Sequence, residues 1–245
     1  MSTHPDRVAI VTGAARGIGQ AIARRFGERG LTVVAVDLES PDETLALLDQ
    51  TKAIGLTADV SDPAQTAEVG AEVIRRFGRI DILVNNAGIF PFSDIADLDY
   101  ATWRRVLAVN LDSQFLMAKM VLPAMKDGGW GRIVNLTSNS IVTVTPGLSH
   151  YFASKMGIIG FTRGLANDLA PFGITVNAVG PTLTRTPGVL AHRGGKELEE
   201  AAHAQAIKRP GEVDDVVGVI AFLASDDAGF VTGQTIMADG GLARL

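Results

Sequence analysis

The sequence contains no cysteine in its 245 residues. That excludes disulfides, thiolate nucleophiles and cysteine-bound metals. Its 4 histidines show no metal-ligand spacing, so no metal is expected. No apolar run approaches the ~20 residues that a membrane-spanning helix needs. The stretch from Met1 to Arg7 has neither an apolar core nor a small-residue cleavage site, so a secretory signal is not expected. Basic excess is lacking too. The formal net charge is −5, which argues against a nucleic-acid partner. Internal repeats, low-complexity tracts and dividing linkers are likewise missing. The expectation is one cytoplasmic domain over 1–245, without nucleic-acid or membrane partners.

What is present is apolar and glycine-rich: 47% hydrophobic residues and 27 glycines. Short apolar runs at 7–12, 31–37, 53–58, 80–84, 132–136, 174–178 and 234–238 read as strands. They alternate with helical stretches at 17–30, 43–50, 64–77, 102–125, 151–170 and 212–224. Such alternation predicts an α/β, Rossmann-like, doubly wound parallel sheet of about seven strands, with helices on both faces. Residues 181–209 break the rhythm after the sixth strand. They contain Pro187, Gly194-Gly195 and an amphipathic piece at 196–206. Their place at the carboxyl edge of the sheet suits a substrate lid over about 182–209.

The first strand runs into Gly13-Ala14-Ala15-Arg16-Gly17-Ile18-Gly19 and then a helix. Glycines there allow a sharp turn and close approach of backbone amides to a pyrophosphate, at a helix end that favours anions. The competing reading is an ordinary glycine-rich turn. Asp37 ends the second strand, where a carboxylate would bond the adenine-ribose hydroxyls and repel a 2′-phosphate. That points to NAD(H) over NADP(H). Arg16 is the counter-signal, and a plain strand-end turn is the alternative for Asp37.

Tyr151 and Lys155 stand four apart at the start of a helix, on one face. A free phenol has a pKa of about 10, and a nearby ammonium should lower it toward working pH. Alone, the pair also reads as an ordinary helix-surface contact. Ser138, thirteen residues upstream, lies just past the fifth strand, where a hydroxyl could hold a substrate oxygen. It also reads as a turn residue.

Taken together, Thr12-Gly13, Gly17, Gly19, Asp59-Val60, Asn85-Asn86-Ala87-Gly88, Asn110, Ser138, Tyr151, Lys155, Asn177 and Asp239-Gly240-Gly241 resemble the short-chain dehydrogenase/reductase family over nearly the whole chain. The resemblance implies roles. Tyr151 would exchange a proton with the substrate oxygen. Lys155 would lower the Tyr151 pKa and bond the nicotinamide ribose. Ser138 would orient the substrate, and Asn110 would hold a water linking Lys155 to solvent. Without the resemblance, Asn110 reads as a polar residue kinking its helix. Ile18 would join the glycine turn against the cofactor. Asp59, beside Val60, would meet the adenine, and 86–88 would pass the adenine ribose by backbone contacts. Asn85 would tie strands together. Pro181, Thr184 and Thr186 would flank the nicotinamide. Where the family usually has Pro-Gly, this chain has Gly180-Pro181-Thr182, a departure that should stiffen the loop.

Expected substrate-side residues are Phe90, Phe92, Ser138, Thr145, Leu148, Tyr151, Leu183 and Val189. Ile89, Pro91, Asn139, Ile141, His150 and Leu190 are further candidates. Most are apolar, which fits a hydrophobic or aromatic secondary alcohol or ketone. For Phe90 and Phe92 simple packing is the competing reading, and for His150 a polar helix terminus. Segments 129–132, 135–138 and 181–186 look most like the 1-phenylethanol dehydrogenase branch, with the pyridoxal 4-dehydrogenase branch also similar. A 3-oxoacyl-(acyl-carrier-protein) reductase and a catalytically silent dinucleotide-binding regulator are the alternatives. The resemblance also implies a homotetramer, packed through 102–125, 151–170 and 230–245.

Overall fold

The computed structural model describes residues 6–49 and 52–243, with the backbone alone for 192–194. Gln50, which ends the expected second helix, lies outside the described residues, as do 1–5 and 244–245. The apolar runs form β1 (Val8–Thr12), β2 (Thr32–Asp37), β3 (Ala53–Thr57), β4 (Ile82–Asn85), β5 (Gly131–Leu136), β6 (Ile174–Pro181) and β7 (Thr235–Ala238). They pair in parallel in the order β3-β2-β1-β4-β5-β6-β7. The expected Rossmann-like sheet of seven parallel strands is therefore observed.

The helices are α1 (Gly17–Glu28), α2 (Asp42–Leu45), α3 (Pro63–Phe77), α4 (Tyr100–Leu107), α5 (Ser113–Gly128), α6 (Ser149–Leu169), α7 (Pro187–Ala204) and α8 (Val213–Leu223). Strand side chains alternate between two cores. Ala9, Val11, Val33 and Ala35 face α1 and α8, where Ile22, Phe26, Val217 and Ile220 meet them. Val8, Ile10, Val34 and Val36 face α3, α5 and α6, packing with Val73, Met117, Val121 and Leu169. Each large aliphatic side chain buried this way contributes about 2 kcal/mol from the area removed from water. Strand order reverses between β1 and β4, opening a crevice at their carboxyl ends. Among the described residues no helix is long and apolar enough to cross a membrane.

Three elements differ from expectation. The helix expected over 43–50 shrinks to the single turn of α2. Thr44 is fully buried there, and its hydroxyl donates to the Ala14 carbonyl at 2.6 Å, so the segment buttresses the glycine loop. The single helix expected over 102–125 is divided by a π-helical turn at Ala108–Asp112. Such wide turns insert one residue into a helix and often occur at functional sites. The excursion after β6 is an ordered helix that runs straight through Gly194-Gly195. Thr186 caps it by accepting from the Val189 amide at 3.2 Å, Pro187 occupies its first turn, and buried Leu198 and Ala202 anchor it.

Candidate active site

The crevice is built largely of backbone. Gly13 and Gly17 hold φ of +64° and +61°, a region that other residues enter at a cost. A side chain on Gly19 would run into the Gly13 carbonyl. Asn86 Nδ2 donates to the carbonyls of Thr12 (2.9 Å) and Gly13 (3.0 Å). Thr12 Oγ1 accepts from the amides of Asn86 (3.0 Å) and Ala87 (3.1 Å). Arg16, at the N-cap of α1, supplies no side-chain cap, so the first-turn N–H groups remain available to an anion. A close-packed glycine turn ending at an uncapped helix start fits a dinucleotide pyrophosphate.

Asp37 lies at the end of β2, as expected, but its carboxylate also holds the loop itself. Oδ2 accepts from the Ala15 amide at 2.8 Å and Oδ1 from the Glu39 amide at 3.3 Å. Arg16 pairs with Glu39 at 3.6 Å on the exposed surface. Asp59 follows β3. It accepts from Ser61 Oγ at 2.6 Å and from Arg105 at 3.2 Å. Burial works against the Asp59 carboxylate, but bonds from Ser61 and Arg105 outweigh it and hold its pKa below the ordinary range. Val60 is buried beside it. Asn85 bonds Asn135 across β4 and β5 at 2.9 Å, the strand-tying role expected of it.

Tyr151 and Lys155 occupy the first turns of α6, with the Lys155 Nζ 5.5 Å from the phenol ring centre. Lys155 is buried and donates to the Leu136 carbonyl at 2.8 Å. Burial lowers its pKa to about 8. The Tyr151 pKa is raised by burial, opposed by a hydrogen bond with Ser138. That direction reverses the lowering expected from the Tyr-Lys spacing, because loss of hydration penalises the phenolate. Ser138 Oγ accepts from the Ser140 amide at 3.2 Å, opening the short turn Asn139–Val142. Phe90 meets Tyr151 edge-to-face at 6.4 Å.

Asn110 sits in the π-helical turn, fully buried. Its Oδ1 accepts from the Ile89 amide (2.8 Å), and its Nδ2 donates to the Ile89 carbonyl (2.9 Å) and Ser154 Oγ (3.1 Å). These bonds clamp the loop after β4 onto α6. Gly88 lies against both Asn110 and Lys155, where an added Cβ would stand 3.3 Å from Asn110 Oδ1 and 3.6 Å from Lys155 Nζ. His150 is wholly buried in the first turn of α6, and neither ring nitrogen has a hydrogen-bond partner among the described residues.

Tyr151, Lys155 and Ser138 open into one cavity of about 820 Å³. Phe90, Phe92, Thr145, Leu148, Leu183 and Val189 line it, as do Ile18, Asn86, Gly88, Pro181, Thr184 and Thr186. Gly13, Arg16, Gly17, Gly19, Asp37, Asp59, Val60 and Ala87 are not among its lining; the glycine turn, β2 end and β3 end lie elsewhere on the same sheet edge. Thr186 closes the two regions together, its Cβ 3.6 Å from where a Gly17 Cβ would be. Ile89, Pro91, Ile141, His150 and Leu190 do not line the cavity, whereas Asn139 does. Sequence reasoning missed Val142, Val144, Glu197, Ala201, Ala204 and Leu242. The helical spacing of 197, 201 and 204 is the signal that could have found the last helix face.

The family model described as enoyl-(acyl carrier protein) reductase matches residues 13–243. D-beta-hydroxybutyrate dehydrogenase of Rhizobium meliloti is 35% identical over 96% of this chain and 98% of its own. The 3-oxoacyl-[acyl-carrier-protein] reductase of Thermotoga maritima is 39% identical over 96% and 97%. The crystal structure of levodione reductase superposes with a TM-score of 0.90 at 33% identity, covering 96% of each chain. The chain belongs to the short-chain dehydrogenase/reductase family, oxidoreductases that act on hydroxyl or carbonyl substrates with NAD(P)(H).

Proposed function

We propose that the protein interconverts a hydrophobic or aromatic secondary alcohol and its ketone, using NAD(H). The observation that carries this reading is the convergence of Tyr151, Ser138 and Lys155 on a cavity that Phe90, Phe92, Leu148, Leu183 and Val189 help to wall. When bound, the nicotinamide supplies or accepts the hydride. Tyr151 exchanges the proton with the substrate oxygen, and its raised pKa keeps it protonated for donation to a ketone. Ser138 donates to the developing oxyanion. Lys155 provides a buried positive charge behind Tyr151 and bonds the nicotinamide ribose. Asn110 fixes the Ile89 loop and α6 in register, and its direct bonds favour this positioning role over holding a water.

Gly13, Gly17, Ile18 and Gly19 would hold the pyrophosphate; Asp59, Val60 and the 86–88 backbone the adenosine; and Pro181, Thr184 and Thr186 the nicotinamide. Asp37 and Glu39 put two carboxylates beside the expected ribose position, and Arg16 is already engaged by Glu39. Both features favour NAD(H) over NADP(H). Residues 182–209 act as a lid over the substrate.

Among the described side chains lining the cavity, Lys155 is the one cation and Glu197 and Glu200 are the acids. That lining favours neutral substrates of the 1-phenylethanol or pyridoxal type over anionic ones. The 3-oxoacyl-(acyl-carrier-protein) reductase reading draws on the relative from Thermotoga maritima, but an acidic carrier needs a basic docking face. A homotetramer is supported by the groove between α5 and α6, where Leu111, Phe115 and Phe161 are gathered and Phe115 is half exposed.

The test is kcat/KM for acetophenone and an acetoacetyl thioester, each with NADH and NADPH, and for pyridoxal with NAD and NADP. The aryl ketone with NADH should give the highest value. A dominant thioester activity with NADPH would overturn the reading, and NADH binding without any turnover would favour the silent regulator.

A further inference from the structure

Thr182, the residue that departs from the family's usual glycine, has a buried partner at the far end of the excursion after β6. Its hydroxyl donates to Gln205 Oε1 at 2.8 Å. Gln205 is 2% exposed and follows α7 directly. Its Nε2 donates to the carbonyls of Ile207 (3.1 Å) and Arg209 (2.7 Å). One amide thus joins the chain leaving the sheet to the chain returning to it, with oxygen and both N–H groups engaged.

The surroundings fit that amide closely. A Cβ on Gly240 would stand 2.9 Å from Gln205 Nε2, and one on Gly211 would stand 2.5 Å from the Thr182 methyl. Thr182 itself takes part in β-type pairing, its amide donating to the Ala238 carbonyl at 3.2 Å. Thr184 Oγ1 donates back to the Thr182 carbonyl at 2.9 Å. The stems also meet in a backbone bridge, the Arg185 amide donating to the Gly211 carbonyl at 2.8 Å, whereas the side-chain ties of Arg185 to Glu199 and Glu212 are exposed and screened by solvent.

We infer that Thr182 and Gln205 form a buried latch that fixes the two stems of the 183–204 excursion and so positions α7 over the substrate cavity. Thr182 lines the cavity and Gln205 does not, so the positioning role is read at Gln205, which secures the helix whose Glu197, Ala201 and Ala204 also line it. An isolated buried hydrogen bond adds little net stability, but a single truncation leaves its partner unsatisfied. The pair should therefore behave as one unit in a double-mutant cycle.

The inference rests on the proposed function only for its kinetic readout, and lid opening is measured without substrate. Limited proteolysis within 183–209 should accelerate roughly tenfold in Thr182→Val, the cost of orphaning Gln205 Oε1 alone, and more in Gln205→Met, which also strips the Ile207 and Arg209 carbonyls of their donor. The double variant should be cut no faster than Gln205→Met alone, and Thr182→Ser should match the parent. With a working ketone substrate, Gln205→Met should raise KM while leaving the pH profile of kcat in place. Parental cleavage rates in both single variants, additive rates in the double variant, or a Thr182→Ser as open as Thr182→Val would each overturn the latch. Cleavage spread equally over the whole chain, signalling global unfolding, would overturn it too. If no ketone is turned over, the functional reading fails while the proteolysis cycle still decides the latch.

Discussion

The two halves of the crevice are made by different means. On the β1–β2 side, backbone groups do most of the work: the Gly13 and Gly17 turns, the uncapped start of α1 and the carbonyls gripped by Asn86. On the β5–β6 side, side chains from the turn after β5, the start of α6 and α7 converge on one cavity. A backbone site tolerates few changes of shape and binds a ligand part with constant geometry, such as a pyrophosphate. A side-chain site can change its lining without disturbing the sheet. On the proposed reading, capture of the pyrophosphate and adenosine falls to the first half, and nicotinamide positioning and substrate choice to the second.

If the halves are separable in this way, Tyr151→Phe should abolish turnover, by roughly a thousandfold or more for loss of the proton donor. The same variant should bind NADH with unchanged affinity, read by nucleotide fluorescence. A large loss of NADH binding would break the separation. On the other side, Asp37→Ser should shift the NAD/NADP preference in kcat/KM by about tenfold or more toward NADP, through loss of a carboxylate facing the ribose. The ranking of ketone substrates should not change. Because Asp37 also accepts from the Ala15 amide, a modest loss of cofactor affinity overall is expected as well.

A further effect, read in stability rather than in turnover, concerns Lys155. Burial holds its folded-state pKa at about 8, below the ordinary 10.5. Between these values the unfolded chain carries a proton that the folded chain does not. Stability from this group therefore rises with pH through that window, and below it the buried ammonium costs about 3 kcal/mol. Lys155→Met should raise Tm at pH 7 and flatten the Tm-pH slope above pH 8. In the parent enzyme, ketone reduction should fall as pH passes about 8 and the positive charge behind Tyr151 is lost. A Tm-pH profile that is identical in the variant would contradict the burial account.

Much of the nucleotide half was readable in one dimension. Its key glycines are neighbours in the chain, and a positive φ or a contact too close for Cβ is a local demand that only glycine meets. The alternating apolar strands likewise announced a doubly wound sheet, since burial on both faces leaves a strong pattern. The substrate half was readable only where residues stood near Ser138 and Tyr151. Leu242 reaches the same cavity from a distant part of the chain, and no spacing links it to Ser138 or Tyr151. Asn110 showed as a polar residue in an apolar helix, but its clamp on Ile89 needed the fold.

The sequence by itself therefore determined the sheet, the glycine turn, the Tyr151-Lys155 pairing and the carboxylate at the end of β2, because each follows from local conformation or a fixed helical period. Tertiary structure decided the rest. Spacing brought an ammonium near a phenol, but burial set the direction in which both titrate, because hydration depends on every wall of the cavity. Thr182 stood out in the sequence as a residue where glycine is usual. Its meeting with Gln205, across an intervening helix, exists only once α7 has folded back onto the carboxyl edge of β6.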